Sequence, residues 1–353
     1  MKAKKIVIIS PYLYELSRGI ERFTINLSDA LVKKGVDVVI YTWSQKKGKL
    51  CGDLNSKVKI RRVPYIRYYR ELWARWLYRI WLRIDKPDTT MLNFLYHGEE
   101  TLPAKGRYLY LLHSPASQVP QRYEYSASKI TRFENMMVVA TSGLVERDAL
   151  PYFQGKAPMT LIYNGTDTET FKPLDQRTRG NKLKIITAAA FEERKGMHFL
   201  IEALKDYAYK DRIQYDIYGT GDGEYANRVK QMIEDYGLQD VVKCKINKVF
   251  MSQIEPEYDL YALLSKGEAF ALSPIEAMAC GLPILVSNCD PYPEFVDESF
   301  GYMVDRENVK VIQDVLTELI ENPALLESMS VKAREKALEF SWDKVVEQYM
   351  ELI

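Results

Sequence analysis

Apolar positions along the chain follow two alternating periods. Lys5-Ile-Val-Ile-Ile-Ser10 is a continuous β-branched run, as expected for a strand buried on both faces of a parallel sheet. A turn at Pro11 leads into a helical pattern over 20–34, ended by Gly35 where a C′ glycine fits. Val36-Asp-Val-Val-Ile-Tyr41 predicts the next strand, and 58–63, 108–112, 136–141 and 160–163 predict four more. The segment 171–181, with Pro173, Gly180 and several charges, reads as a linker. The pattern then restarts, with strands over 184–187, 214–218, 241–246, 259–264, 283–286 and 302–304 and helices over 197–204 and 225–236. The tail is helical over 309–320, 323–340 and 341–353. Strand followed by helix, repeated, predicts an α/β chain of two Rossmann-like domains, 1–170 and 171–341, facing each other across a cleft. Ligands of such sheets bind at the carboxyl ends of the strands.

Composition removes several function classes. Of 353 residues, 47% are apolar and 27% charged, which are globular proportions. Nowhere do 18 apolar residues run together, so no spanning helix is expected. The start reads as a first strand rather than a signal peptide. Cys51, Cys244, Cys280 and Cys289 are scattered without a C-x-x-C pair, which speaks against a disulfide framework or structural zinc and for a reducing cytoplasm. Three histidines leave little for a histidine-rich metal centre. The net charge of +1 hides an asymmetry: residues 1–170 hold 27 Lys+Arg against 16 Asp+Glu, a balance of +11. That half is suited to something anionic.

The most informative stretch is Gly267-Glu-Ala-Phe-Ala-Leu-Ser-Pro-Ile-Glu-Ala-Met-Ala-Cys-Gly-Leu-Pro283. Glu268 falls in a loop after a strand, and Glu276 in the first turn of the helix that follows. Ser273 suits the N-cap and Pro274 the first helical position, so the amino terminus offers N–H groups and partial positive charge to a phosphate. Ser273-x-x-Glu276 is equally a capping box, in which the glutamate only satisfies a backbone donor. Glu268 has no such structural role in its apolar surroundings. His113 stands at the carboxyl end of a strand, where ligands bind. Gly219-x-Gly221 lacks the third glycine and trailing acid of a dinucleotide fingerprint, and no G-x4-G-K-[ST] phosphate loop occurs.

These blocks together resemble the retaining glycosyltransferases of family 4, which have the GT-B fold. The stretch from Glu268 to Glu276 resembles the family's E-x7-E signature. Arg18-Gly19-Ile20-Glu21-Arg22 resembles its glycine-containing loop after the first strand. Asn164-Gly165-Thr166-Asp167 with Phe171 and Pro173 resembles its linker, Glu192-Glu-Arg-Lys-Gly196 its K-G block, and Gly219-Thr-Gly221 its G-x-G turn. Phe340-Ser-Trp342 resembles the opening of its final helix, which implies that 342–353 packs back onto the first domain. The resemblance implies that Lys195 grips the donor's diphosphate, that Glu268 holds the donor sugar and that Glu276 takes the ribose hydroxyls. Gly19, Arg194, Gly219, Gly221, Phe270, Ala271 and Leu272 line the nucleotide-sugar site in this reading, and His113 faces the sugar. One departure stands out. Relatives carry G-R a few residues before K-G, whereas Thr187-Ala-Ala-Ala190 occupies that place here, leaving Arg194 as the candidate substitute. No Asp-x-Asp occurs, which argues against the divalent-metal grip of the other main glycosyltransferase fold; no metal or cofactor is implied beyond the nucleotide sugar as co-substrate.

A second feature lies in the first half. Apolar residues fall at 72, 73, 76, 77, 80, 81 and 84, covering about half of a helix at ~100° per residue. Arg75, Arg79 and Arg83 gather beside them, and Trp73, Trp76 and Trp81 add interfacial character. Arg61, Arg62, Arg67 and Arg70, with Tyr65, Tyr68 and Tyr69, extend the pattern upstream. This is the composition of an interfacial helix on anionic lipid. The alternatives are a helix that only packs on its sheet, or a nucleic-acid surface, for which no accompanying motif exists.

The reading that results is a retaining, metal-independent hexosyltransferase. A UDP-sugar is its favoured donor, GDP-mannose the next, and its acceptor is a glycan or lipid-linked molecule of the cell envelope. It is expected in the cytoplasm, peripheral at the inner face of the membrane, without a nucleic-acid partner. The rivals are a non-catalytic sugar-nucleotide-binding or scaffold protein on the same fold, and a sugar-nucleotide epimerase.

Overall fold

β1 (Lys5–Ile9) is buried on both faces, as its unbroken β-branched run requires, and pairs in parallel with β2 (Asp37–Trp43) on one side and β4 (Thr89–Leu92) on the other. The computed structural model describes residues 3–13, 19–43, 54–64, 69–175, 180–221, 223–245 and 251–353. Arg18, Cys51, Tyr65, Arg67, Tyr68 and the end of the 241–246 strand lie outside them. The chain forms two compact units: Met1–Gly165 with Trp342–Ile353, and Thr166–Ser341. The break falls five residues before the 170/171 boundary expected from the linker composition. Asp167 accepts from the backbone N–H groups of Glu169 and Thr170, and Arg334 donates to the carbonyls of Thr168 and Phe171, so the start of that stretch is fastened into the second unit.

The first unit is a seven-stranded parallel sheet. Its order is β3 (Lys59–Val63), β2, β1, β4, β5 (Arg107–Leu112), β6 (Asn135–Ala140) and β7 (Met159–Leu161). Helices α1 (Gly19–Lys33), α2 (Arg70–Asp85), α3 (Pro120–Ile130) and α4 (Gly143–Phe153) connect the strands. Alternate β1 residues feed two cores. Val7 and Ile9 pack with Tyr41, Tyr78 and Tyr110, and Ile6 and Ile8 with Phe23, Leu27 and Val346.

The second unit repeats the plan in six parallel strands, ordered β10 (Val242–Lys245), β9 (Ile213–Tyr218), β8 (Leu183–Ala188), β11 (Leu260–Leu263), β12 (Ile284–Ser287) and β13 (Gly301–Val304). Helices α5 (Met197–Leu204), α6 (Glu224–Asp235), α7 (Met251–Ile254), α8 (Leu272–Ala279), α9 (Val309–Glu321) and α10 (Pro323–Ala337) complete it. The last helix, α11 (Trp342–Glu351), belongs to the first unit. Trp342 stacks edge-on against Phe23 of α1, and a Cβ on Gly165 would lie 2.5 Å from the Trp342 ring. Only glycine lets the indole lie flat there.

Candidate active site

In both sheets the chain starts in the middle, runs outward to one edge and returns to fill the other. Loops from the two central neighbours therefore diverge and leave a crevice at the carboxyl edge. In the second unit those neighbours are β8 and β11, and the loops after them carry Lys195 and Glu268.

The loops are held by backbone contacts that dictate residue type. Lys266 N–H donates to the Arg194 carbonyl at 2.7 Å, and Glu268 N–H to the Asp290 carbonyl at 3.1 Å. Gly196 takes φ +68°, and a Cβ there would lie 1.8 Å from the Leu264 carbonyl oxygen. The glycine of the K-G pair is thus what lets the β8 loop press against the β11 loop. Gly219 does the same after β9, where a Cβ would meet the Ala189 carbonyl at 2.0 Å. The pinned loops bring Lys195 Nζ to 2.7 Å from Glu268 Oε1. Arg194 Nη1 lies 3.6 Å from Glu268 Oε2, while its Nε donates to Glu192. Glu268 is only 7% exposed. A buried carboxylate bracketed by two cations at a sheet's switch point is a costly arrangement for stability alone, and suits a site where charge develops.

The helix after Glu268 differs from the sequence reading. Ser273 is not its N-cap. α8 begins at Leu272, and the preceding Ala271 takes φ 64°, ψ 68° without any side-chain cap. Ser273 Oγ instead lies 2.8 Å from the Tyr261 hydroxyl. Glu276 is consequently the fifth residue of α8 rather than part of its first turn, and it is buried. With Ser273 one position inside the helix, the capping-box account of Glu276 loses its partner. A left-handed alanine costs of order 1–3 kcal/mol, and such strain concentrates at functional sites. Phe270 buries its ring against Phe295 and Phe340, so only its backbone is available to a ligand. Gly221 takes φ +113°, whereas a Cβ on Gly19, at the start of α1, would meet nothing within 4 Å.

The first unit holds His113 just beyond β5, at the same kind of edge. Here the structure supplies a residue that sequence reading missed. Asn93 follows β4, a strand of four residues containing two threonines that the hydrophobic pattern did not reveal. Thr24 Oγ1 donates to the Ile20 carbonyl, so it must accept from Asn93 Nδ2 at 2.9 Å. Asn93 Oδ1 is then left to accept from His113 Nε2–H at 3.0 Å. This fixes the neutral tautomer with Nδ1 as an acceptor. Burial, reinforced by the charge of Arg122, pushes the His113 pKa down to about 3. Because the folded value lies below the usual one, the imidazole stays neutral until the pH falls toward 3. Any stability it contributes is present above the ordinary histidine range and lost on acidification. With three histidines in the chain, NMR titration reads this directly. His113 should keep the Nε2–H tautomer from pH 8 to 5, and a midpoint above 5 would contradict the network.

Two features stand out: twin doubly wound sheets, and a cation-bracketed carboxylate at the switch point of the second. They define the class of α/β enzymes built on two nucleotide-binding-type sheets. The comparisons with known proteins are specific. The family model described as Glycosyl transferases group 1 matches residues 169–336, and that described as Glycosyltransferase Family 4 matches residues 17–170. The chain belongs to the family 4 glycosyltransferases of the GT-B fold. Among curated relatives, poly(ribitol-phosphate) alpha-N-acetylglucosaminyltransferase of Staphylococcus aureus is 28% identical over 45% of this chain and 32% of its own length. A glycosyltransferase of Methanocaldococcus jannaschii, MJ1069, is 22% identical over 100% of this chain and 98% of its own. The chain spans about half the length of the first curated relatives it matches. Among solved structures, sucrose-phosphate synthase from Thermosynechococcus elongatus superposes with TM-score 0.82 at 18% identity, covering 99% of this chain and 98% of that one. Anabaena Alr3699/HepE in complex with UDP and glucose superposes with TM-score 0.78 at 16% identity, with the same coverage. At these identities the structural likeness speaks to the fold.

Proposed function

We propose that this glycosyltransferase moves a hexose from a nucleotide-diphosphate sugar, with UDP as the favoured carrier and GDP-mannose next, with retention of the anomeric configuration. The observation that carries the reading is the Lys195–Glu268 pair at the β8/β11 switch point. Cleaving the sugar–phosphate bond places negative charge on the departing diphosphate and positive character on the anomeric carbon. Lys195 and Arg194 meet the first, and the Glu268 carboxylate the second. Arg194 takes the part of the arginine that relatives carry before K-G, since its guanidinium already reaches toward Glu268. Glu276 receives the ribose hydroxyls. Superposable structures that hold UDP support a UDP-linked donor: Anabaena Alr3699/HepE binds UDP and glucose, and the pneumococcal O-GlcNAc transferase GtfA binds UDP and GlcNAc.

The acceptor is a glycan or a lipid-linked molecule, and the enzyme works against the inner face of the membrane. Among the described residues no helix is long and apolar enough to cross a membrane, and no group of three metal-binding side chains occurs. In this reading Lys195 and Arg194 supply the positive charge, and the reaction runs without a divalent metal. Turnover of UDP-hexose should therefore persist in excess EDTA and yield a product of the donor's anomeric configuration. Loss of activity restored by magnesium, or an inverted product, would refute that mechanism.

A further inference from the structure

Large apolar side chains that remain exposed gather on α2. Tyr69, Leu72, Trp73, Trp76, Ile80 and Ile84 are between 43% and 68% exposed. The helix cannot roll to hide them, because its opposite side is committed. Ala74 and Tyr78 are buried in the core, the Tyr78 hydroxyl accepts from Trp43 Nε1 at 3.0 Å, and Asp85 binds Arg61 and Tyr41 at 2.6 and 2.7 Å. At ~100° per residue the six exposed residues occupy an arc of about 120° facing away from the core. Arg75, Arg79, Arg83 and Lys86 step along one edge of that arc. The acid of the first turn, Glu71, lies on the inner side and contacts His97 Nδ1 at 3.3 Å.

The arginines divide into two groups, which the sequence alone did not separate. Arg75 pairs with Glu100 at 3.2 Å and Arg79 donates to the Thr101 carbonyl, so both brace α2 against the turn Glu99–Thr101. Arg83 and Lys86 are exposed at the carboxyl end of the same edge. An exposed apolar stripe of this extent marks an interaction surface. A convex single-helix stripe containing two tryptophans, with Arg79, Arg83 and Lys86 exposed along one edge, complements a bilayer interface with anionic headgroups. We infer that α2 is the face by which the protein lies on an anionic membrane, its axis in the plane of the headgroups. Leu72, Trp73, Trp76 and Ile80 enter the acyl boundary, while Arg83 and Lys86 set the preference for anionic lipid. Arg75 and Arg79 hold the helix to the domain. This rests on the membrane placement proposed above and uses none of the donor-site residues.

Sedimentation of the full chain with vesicles tests it, using phosphatidylglycerol mixed into phosphatidylcholine against phosphatidylcholine alone. Wild type should pellet with the mixed vesicles. The triple variant Leu72→Ser, Trp76→Ser, Ile80→Ser should bind at least about tenfold more weakly at an unchanged melting temperature, since the three side chains contribute to the lipid contact and little to the core. The pair Arg83→Glu, Lys86→Glu should lower binding to mixed vesicles to the level of phosphatidylcholine. Equal pelleting of the triple variant and wild type would overturn the assignment. So would a wild-type chain that ignores both vesicles, including one that self-associates through α2 instead. Glu268→Gln should pellet like wild type, so a protein that binds vesicles but transfers no sugar would defeat the donor-site reading and leave this surface standing.

Discussion

Replacing Glu268 with Gln is expected to lower sugar transfer by about 10³-fold or more while leaving the protein folded. The amide keeps the volume of the carboxylate and can still accept from Lys195 Nζ, 2.7 Å away in the native protein. What it loses is the negative charge that, in the proposed function, faces the anomeric carbon as the diphosphate departs. Stability should change by about 2 kcal/mol or less, the scale of one charged hydrogen bond. Turnover and melting temperature measured on the same sample separate the two effects. A variant with near-normal rate would remove Glu268 from the reacting centre. One that fails only because it is unfolded would recast the pair as structural.

Lys195→Ala is the second large effect, acting on the other partner. Removing one preorganised donor from a site of developing charge typically costs about 10²–10³ in kcat. If Lys195 serves the leaving diphosphate as proposed, most of the loss should appear in kcat, with a smaller rise in KM for the donor. Arg194 lies 3.6 Å from the same carboxylate and is half exposed, so it cannot replace the short contact. Arg194→Ala should therefore cost less than Lys195→Ala. Equal rates in Lys195→Ala and wild type would show that the lysine only neutralises Glu268.

Glu268 and Lys195, which the structure brings together, were both singled out in the sequence. Glu268, Lys195 and Gly219 stood out because their chemistry and spacing are carried by short segments, each next to a strand with a strong apolar run. The structure adds the physical reasons for the glycines, close approach at Gly196 and Gly219 and positive φ at Gly221. What escaped was anything decided by tertiary packing. β4 is only Thr89–Leu92, too short and too rich in threonine for period counting, so Asn93 and its grip on His113 stayed hidden. The α8 start was placed at Ser273 on capping preference. The chain instead turns through a left-handed Ala271, a strain that the surrounding fold imposes against local propensity. On α2, periodicity gave the helix but not which arc meets the core: Leu77 and Trp81 of its apolar half pack inward, and Arg75 and Arg79 are occupied by Glu100 and Thr101.

In the proposed function, the second unit's β8/β11 crevice holds a nucleotide-diphosphate sugar between Lys195, Glu268 and Glu276. Titration calorimetry of the whole chain with UDP, UDP-hexoses and GDP-mannose measures it directly. The account predicts saturable one-site binding of a uridine donor, weakened by Glu276→Gln through the ribose and by Lys195→Ala through the diphosphate, at unchanged stability in the first variant. No binding of any nucleoside diphosphate or its sugar, or binding indifferent to both substitutions, would contradict it.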